Sequence, residues 1–372
     1  MRIAQVAPLY ESVPPKLYGG TERVMSYLTE ELVRQGHDVT LFASGDSETT
    51  ARLVPVCEGA LRLQGDKIVD PIAHHLRMIE VVMREASSFD VIHFHPEYLH
   101  FPMTRRHPIA SLTTLHGRLD IPDLFPLFRE FSEAQLVSIS DSQRTPMPWA
   151  NWIATVHHGL PEDLHGSRMQ AGEYLAFLGR LSPEKRPDRA IDIAIRAGMP
   201  IRIAAKIDRT DEEYFEAKIR KLLEHPLVEY VGEIGEGEKA EFLGNASALL
   251  FPIDWPEPFG LVMIESMACG TPVIAWKMGS TPEIVDDGMT GYLVDSIEGA
   301  VAAVGKLSSL DRRICRAIFE RRFSARRMSA DYLKVYQQLL SDEPTVMAPQ
   351  TSQAEAVASD EEGAVMPEVR QM

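Results

Sequence analysis

The chain of 372 residues has only three cysteines, Cys57, Cys269 and Cys315, and no C-x-x-C spacing. An odd, scattered set argues against a disulfide framework or a zinc site and fits three plain thiols in a reducing compartment. Long apolar runs are also missing. Nothing approaches the roughly 18 residues of a membrane-spanning helix, and the first ten residues hold too short an apolar run for a secretory signal. The expectation is a cytoplasmic protein. Positive charge is scarce: Lys and Arg number 38 against 54 Asp and Glu, a formal net charge of −16. Residues 342–372 carry seven acids and only Arg370, so the tail supplies −6 and the body about −10. An acidic body argues against broad electrostatic binding to nucleic acid, which depends on neutralising phosphates. It leaves room for one small basic pocket.

What is present is an alternation of short apolar runs and amphipathic stretches. Arg2–Ala7 reads as a buried strand stopped by Pro8, followed by a Pro/Gly loop and a helix over Thr21–Gln35 with Thr21 as N-cap. A strand follows at Val39–Ala43, a helix at Ala73–Ser87, and strands at Val91–Phe94, Ser111–Leu115, Leu136–Ile139 and Thr155–His157. The rhythm restarts at Tyr174–Leu178, with a helix at Pro187–Ala197, a strand at Ile201–Ala205 and a helix at Asp211–Glu224. Val228–Val231, Lys239–Asn245, Ala248–Phe251, Phe259–Ala268 and Val273–Ala275 continue it. Such alternation implies parallel sheets. The expected organisation is a domain over 1–168, a second over 169–323, a terminal helix over 324–340 and a disordered acidic tail over 341–372. Ligands of open parallel sheets sit beyond the carboxyl ends of the strands, so a cleft between two such sheets is the natural site.

The most informative segment runs from Phe251 to Ala275. It places Glu257 on a proline-stiffened loop and Glu265 in the following helix. Phe259, Gly260, Leu261 and Val262 are expected to form that helix's first turn, where N–H groups and the helix dipole attract an anion. Glycine at 260 lets a ligand approach the backbone. A stabilising acid and a solvated glutamate would be the plain structural reading of the pair. A second segment, Phe177 to Pro187, presents Arg180 and Lys185 after a strand. Two cations there suit a diphosphate whose charge grows as a bond to it breaks.

These two segments resemble the Glu-x7-Glu signature and the Gly-Arg…Lys clamp of glycosyltransferase family 4, whose members are retaining enzymes with the GT-B fold. The resemblance runs over about residues 1–340 and is weakest at 45–90. It implies two Rossmann-like parallel-sheet domains facing across a cleft, the first on the acceptor side and the second on the donor side. It implies that Glu257 contacts the donor sugar, Glu265 the ribose, and Arg180 and Lys185 the diphosphate. Tyr18 to Arg23 looks like the family's glycine-rich loop, which nominates Gly20 near the donor phosphates. His116, straight after a strand, matches a family histidine at the donor sugar, so His116, Arg180, Lys185 and Glu257 form the expected catalytic set. Ile92 to His95 and Ser138 to Asp141 look like strand-end elements on the acceptor side, nominating His95 and Ser140. His93 and His95 alternate, and an expected placement on opposite faces of the strand argues against joint metal ligation. Lys206 follows a strand and is expected near the donor; Glu283 suits either a ligand or a helix cap.

The chain has no Asp-x-Asp tripeptide, the usual metal handle of sugar-nucleotide enzymes, so neither a metal nor a cofactor is expected beyond the nucleotide-sugar co-substrate. The implied reaction is direct hexosyl transfer with retention to an unidentified acceptor. A sugar-nucleotide epimerase, a glycoside phosphorylase and a non-catalytic nucleotide-sugar sensor are the competing readings. A membrane-surface acceptor would have only Pro146–Trp152 as a local docking segment. Packed aromatics explain Trp149 and Trp152 as well. The nucleobase, the sugar, the acceptor and the oligomeric state are not encoded in these motifs.

Overall fold

The computed structural model describes residues 1–16, 19–170 and 172–341, apart from the side chain of Asp66. Tyr18 and the acidic segment beyond Ser341 lie outside the described residues, and with them the expectation of a disordered tail.

The first sheet has seven parallel strands: β1 (Arg2–Val6), β2 (Asp38–Ser44), β3 (Arg52–Cys57), β4 (Val91–Phe94), β5 (Ser111–Thr114), β6 (Leu136–Ser138) and β7 (Trp152–Thr155). Their order is β3-β2-β1-β4-β5-β6-β7. The second has six: β8 (Tyr174–Arg180), β9 (Ile201–Lys206), β10 (Val228–Gly232), β11 (Ala246–Phe251), β12 (Val273–Trp276) and β13 (Gly291–Val294), ordered β10-β9-β8-β11-β12-β13. Central strands such as β11 are buried along their whole length, which is why they read as continuous apolar runs rather than alternating ones.

In the first lobe the helices are α1 (Gly20–Arg34), α2 (Pro71–Arg84), α3 (Phe101–Thr104), α4 (Leu124–Glu130) and α5 (Asp141–Arg144). In the second they are α6 (Pro187–Ala197), α7 (Glu212–Tyr214), α8 (Glu236–Gly244), α9 (Leu261–Ala268), α10 (Thr281–Ile284), α11 (Ile297–Val304) and α12 (Arg312–Arg322), and α13 (Ala325–Ser341) ends the described chain. Local chemistry sets several ends. Asp70 caps α2 by accepting from Ile72 N at 2.9 Å, with Pro71 opening the helix. Pro187 opens α6 and Gly198, at φ 64°, closes it.

Several expectations need correction. Thr21 does not cap α1, which starts at Gly20 after Gly19 without a side-chain cap. Strands β3 and β13 were not anticipated, and the strand expected at 155–157 is β7, three residues earlier. The helix expected over Asp211–Glu224 is broken into short 3-10, α and π turns.

The terminal helix α13 follows the second lobe in sequence but packs on the first. Met328, Tyr332, Val335 and Tyr336 share a core with Ile3, Val24, Leu28 and Leu32. Burying each such side chain contributes about 1.5–3 kcal/mol. The chain therefore crosses between lobes twice. The crossings lie side by side: Leu160 N donates to Phe323 O at 2.9 Å and Ala325 N to Leu160 O at 2.7 Å. The carboxyl ends of β1, β4 and β5 face those of β8 and β11 across one cavity lined from both lobes.

Candidate active site

The cavity holds about 700 Å³. Gly20, His95, His116, Arg180, Lys185, Glu257, Phe259, Gly260, Leu261, Val262 and Glu265 all line it, although they span most of the sequence. Lys206 lines it as well.

On the second lobe, Lys185 Nζ is hydrogen-bonded to Glu257 Oε2, and Trp255 Nε1 donates to the same oxygen at 3.0 Å. The ammonium also sits 5.0 Å from the centre of the Trp255 ring, within cation–π range. Arg180, at the end of β8, is paired with Glu184 and lies 2.9 Å from Asp211. The two cations expected to face a diphosphate are thus paired with carboxylates that a bound anion would have to displace.

The loop after β11 departs from expectation at the start of α9. Gly260 is the N-cap, at φ 80°, and the helix begins at Leu261, so Phe259 and Gly260 lie outside its first turn. A left-handed backbone is why glycine stands there. A Cβ on Gly260 would also fall 2.8 Å from Met263 Cε and 3.3 Å from Glu257 Cγ. Phe259 is 2% exposed and packs near His158 and Phe323, so its ring is core. Glu265, inside α9, is 3% exposed and accepts from Lys239 Nζ at 2.7 Å. Burial pushes its carboxyl upward, but Lys239 outweighs that and holds it below the usual glutamate range.

On the first lobe, His116 follows β5 and its Nε2 lies 2.8 Å from His95 Nδ1. Its ring stacks on His158 with centroids 5.3 Å apart. Burial lowers its pKa to about 3, so the imidazole is neutral at physiological pH. His93 and His95 do not point to opposite faces. Two residues apart, in β4 and just past its end, they share a face, and their ring centroids are 4.0 Å apart. Metal ligation by the pair is disfavoured for a different reason: all four ring nitrogens have side-chain partners, Tyr336, Thr114, His116 and Gln5. His95 is 2% exposed and supports His116 rather than offering itself to an acceptor.

Ser140 is also corrected. It is fully buried, does not line the cavity, accepts from Gln143 N at 3.1 Å and donates to Pro258 O at 2.6 Å. It ties the two lobes together. Glu283 does the same from the opposite side. Its carboxylate accepts from Asp141 N at 2.8 Å and Ser142 N at 2.7 Å, capping α5 of the other lobe, with His157 Nε2 3.2 Å away. Burial raises this carboxyl, and those hydrogen bonds outweigh it, leaving the pKa below 4.5. A group with a depressed folded pKa stabilises above its unfolded value and loses that contribution as pH falls through the folded value. Glu283→Gln is therefore expected to lower Tm at neutral pH, with the gap to wild type closing below pH 4.5. A pH-independent gap in thermal melts would contradict this.

Among the cavity residues not nominated from sequence, four charged side chains stand out. Arg23 bridges the lobes to Glu236 at 2.6 Å, and Lys239 holds both Glu236, at 3.0 Å, and Glu265. Glu22 and Glu97 line the first-lobe wall. Burial raises them to about 6 and about 7, with the Gly117 N–H opposing the shift at Glu97. Glu97 also has a left-handed backbone, at φ 52°, uncommon outside glycine and frequent at functional sites. No spacing rule marks these residues, because α1 and α8 meet only after both lobes have folded. His165, Glu236 and Glu265 converge closely enough to surround an ion. Arg23 and Lys239 already neutralise those carboxylates, so the group favours an internal ion-pair cluster over a divalent cation.

In the candidate docking segment 146–152, Trp152 is packed as an ordinary side chain, whereas Trp149 is 42% exposed. Trp152 Nε1 donates to Met147 O at 2.8 Å, and Arg129 covers the Trp149 ring at 5.2 Å. Among the described residues no helix is long and apolar enough to cross a membrane.

Comparison with known proteins bears on this arrangement. Residues 18–158 match the family model Glycosyltransferase Family 4, and residues 168–317 match Glycosyl transferases group 1. A D-inositol 3-phosphate glycosyltransferase of Mycolicibacterium smegmatis is 31% identical over 201 residues, covering 48% of this chain and 43% of that protein. The chain thus spans less than half the length of that relative. A phosphatidyl-myo-inositol mannosyltransferase of Mycobacterium leprae is 27% identical over 346 residues, 85% of this chain and 89% of the other. Among solved structures, AviGT4, a glycosyltransferase involved in Avilamycin A biosynthesis, superposes with a TM-score of 0.72 at 23% identity, over 92% of this chain and 98% of the other. With the GT-B arrangement of two parallel sheets around one cavity, the chain carries a Glycosyltransferase Family 4 domain over residues 18–158 followed by a Glycosyl transferases group 1 domain over residues 168–317.

Proposed function

We propose that the chain transfers a hexosyl group from a nucleoside-diphosphate sugar to an acceptor hydroxyl, with retention at the anomeric carbon and without a metal ion. The observation that carries this reading is the convergence of Arg180, Lys185, Glu257 and the start of α9 on one wall, opposite His116 on the other. Glu265 would hold the ribose through its carboxylate. Lys185, Arg180 and the first N–H groups of α9 would take up the negative charge that develops on the diphosphate. Glu257, released from Lys185 by the phosphate, would bind the hexose and fix its anomeric carbon beside the acceptor.

The bond from the anomeric carbon to the diphosphate oxygen breaks as the bond to the acceptor oxygen forms on the same face. The departing phosphate oxygen takes the acceptor's proton. His116, neutral throughout, orients a hydroxyl and is not the base. The relatives are named for D-inositol 3-phosphate and phosphatidyl-myo-inositol, which makes cyclitols and their phosphates the first acceptors to try.

Thermal shift with UDP, GDP and ADP tests the donor half. A nucleotide at about 100 times its Kd adds roughly 2.7 kcal/mol of stability. One of the three is expected to raise the Tm of wild type, and Arg180→Ala is expected to lose that rise. An equal rise in the variant would remove Arg180 from the clamp. Phosphate-dependent release of a sugar phosphate, without nucleotide, would replace transfer by phosphorolysis.

A further inference from the structure

The inner wall of the first lobe carries a buried polar chain that the reaction above does not use. Gln5 on β1 is fully buried and His95 is 2% exposed. Gln5 Nε2 donates to the Tyr336 hydroxyl at 3.1 Å, and its Oε1 faces His95 Nε2 at 3.0 Å. The proton positions follow. An amide oxygen only accepts, so His95 carries its hydrogen on Nε2. A neutral imidazole has one donor and one acceptor, so His95 Nδ1 accepts. His116 Nε2, 2.8 Å away, must then donate to it. His116 Nδ1 is left as a lone pair, buried and without a hydrogen-bond partner among the described residues.

We infer that Gln5 and His95 are positioning residues that fix His116 as the Nε2–H tautomer, so that its Nδ1 accepts a hydrogen bond from a saccharide hydroxyl. The inference deepens the transferase reading and rests on it for the identity of the ligand. Burial keeps both imidazoles neutral, which the one-donor, one-acceptor count requires. The orientation of Gln5 is the control point. Were its amide turned over, every proton in the chain would reverse and His116 would present an N–H in place of a lone pair. Tyr336, from α13, is the group that the Gln5 N–H meets. It also contacts His93 Nδ1 at 2.8 Å, while His93 Nε2 meets Thr114 Oγ1 at 2.7 Å. The terminal helix thereby joins the chain through a hydroxyl that can donate or accept, so the orientation of Gln5 and not Tyr336 fixes the order of protons at the cavity wall.

The test is the ¹⁵N spectrum of the full chain labelled at its 12 histidines, with His116 assigned by loss of its signals in His116→Asn. The expected wild-type pattern is a protonated Nε2 and an unprotonated Nδ1 at His116. Gln5→Leu strips His95 Nε2–H of its acceptor and is expected to shift His116 toward the Nδ1–H form. With it, kcat for transfer should fall roughly tenfold, the scale of one hydrogen bond, while the Kd for nucleoside diphosphate stays within about twofold. An Nδ1–H tautomer in wild type overturns the inference, as does a variant with unchanged tautomer and kcat. If Gln5→Leu does not fold, the wild-type spectrum decides alone. If wild type shows no transfer, the functional reading fails while the tautomer is still read.

Discussion

Replacing Lys185 with alanine is expected to lower kcat/KM for sugar transfer by about 10²–10³-fold, the scale for removing one group that stabilises developing charge. Its ammonium is hydrogen-bonded to Glu257, which is 8% exposed and otherwise held by Trp255 Nε1. A diphosphate would take the ammonium over, and Glu257 would pass to the sugar. The variant loses the cation toward the phosphate and leaves the carboxylate with one neutral donor. Calorimetry separates the two effects. Nucleoside diphosphate should bind more weakly to the variant, while the free nucleoside, which reaches only toward Glu265, should bind as to wild type. Lys185→Arg is expected to recover part of the affinity but not the full rate, because a planar fork does not replace a point charge packed against the Trp255 ring. A Lys185→Ala enzyme with normal kcat/KM would remove the clamp from the mechanism.

The second large effect is expected at a residue that lines no part of the cavity. Gly279 has φ 60°, and a Cβ there would fall 2.4 Å from Glu257 N and 2.6 Å from Glu257 O. Neither atom is the end of a flexible side chain. Glu257 N already donates to Trp255 O, and Ser280 N donates to Glu257 O, so the loop bearing Glu257 must shift as a unit. Gly279→Ala is therefore expected to cost about 2–4 kcal/mol, combining left-handed strain with overpacking. Transfer should fall about 10²-fold, the scale of misplacing a reacting group by roughly 1 Å. Gly288 provides the control. It has φ 73°, and a Cβ there would meet nothing within 4 Å, so Gly288→Ala should cost only the backbone strain of about 1–2 kcal/mol and leave transfer intact. Equal activity losses in the two variants would show that strain alone, not displacement of Glu257, is responsible.

The sequence by itself determined the α/β class, the two-part rhythm and the residues after β8 and β11, because each rests on local information. Apolar runs buried on both sides of a central strand are continuous and easy to read, as at β1 and β11. Arg180, Lys185, Glu257 and Glu265 sit at fixed spacings on single strand–loop–helix units, so their likeness to family 4 survives without any knowledge of the other lobe.

Only the tertiary structure decided the rest. Three of the four sheet edges, β3, β7 and β13, were missed or misplaced. These edge strands are only partly covered, and β3 even contains Pro55. Glu283 caps a helix of the other lobe, Ser140 ties the lobes together, and α13 leaves the second lobe to complete the core of the first. Arg23 meets Glu236 from the other lobe, and Gln5 meets His95 and Tyr336 across gaps of 90 and 331 residues. Such pairs have no period and no motif. They exist because two separately folded sheets present their strand ends to one cavity, and long-range packing alone selects which polar groups meet there.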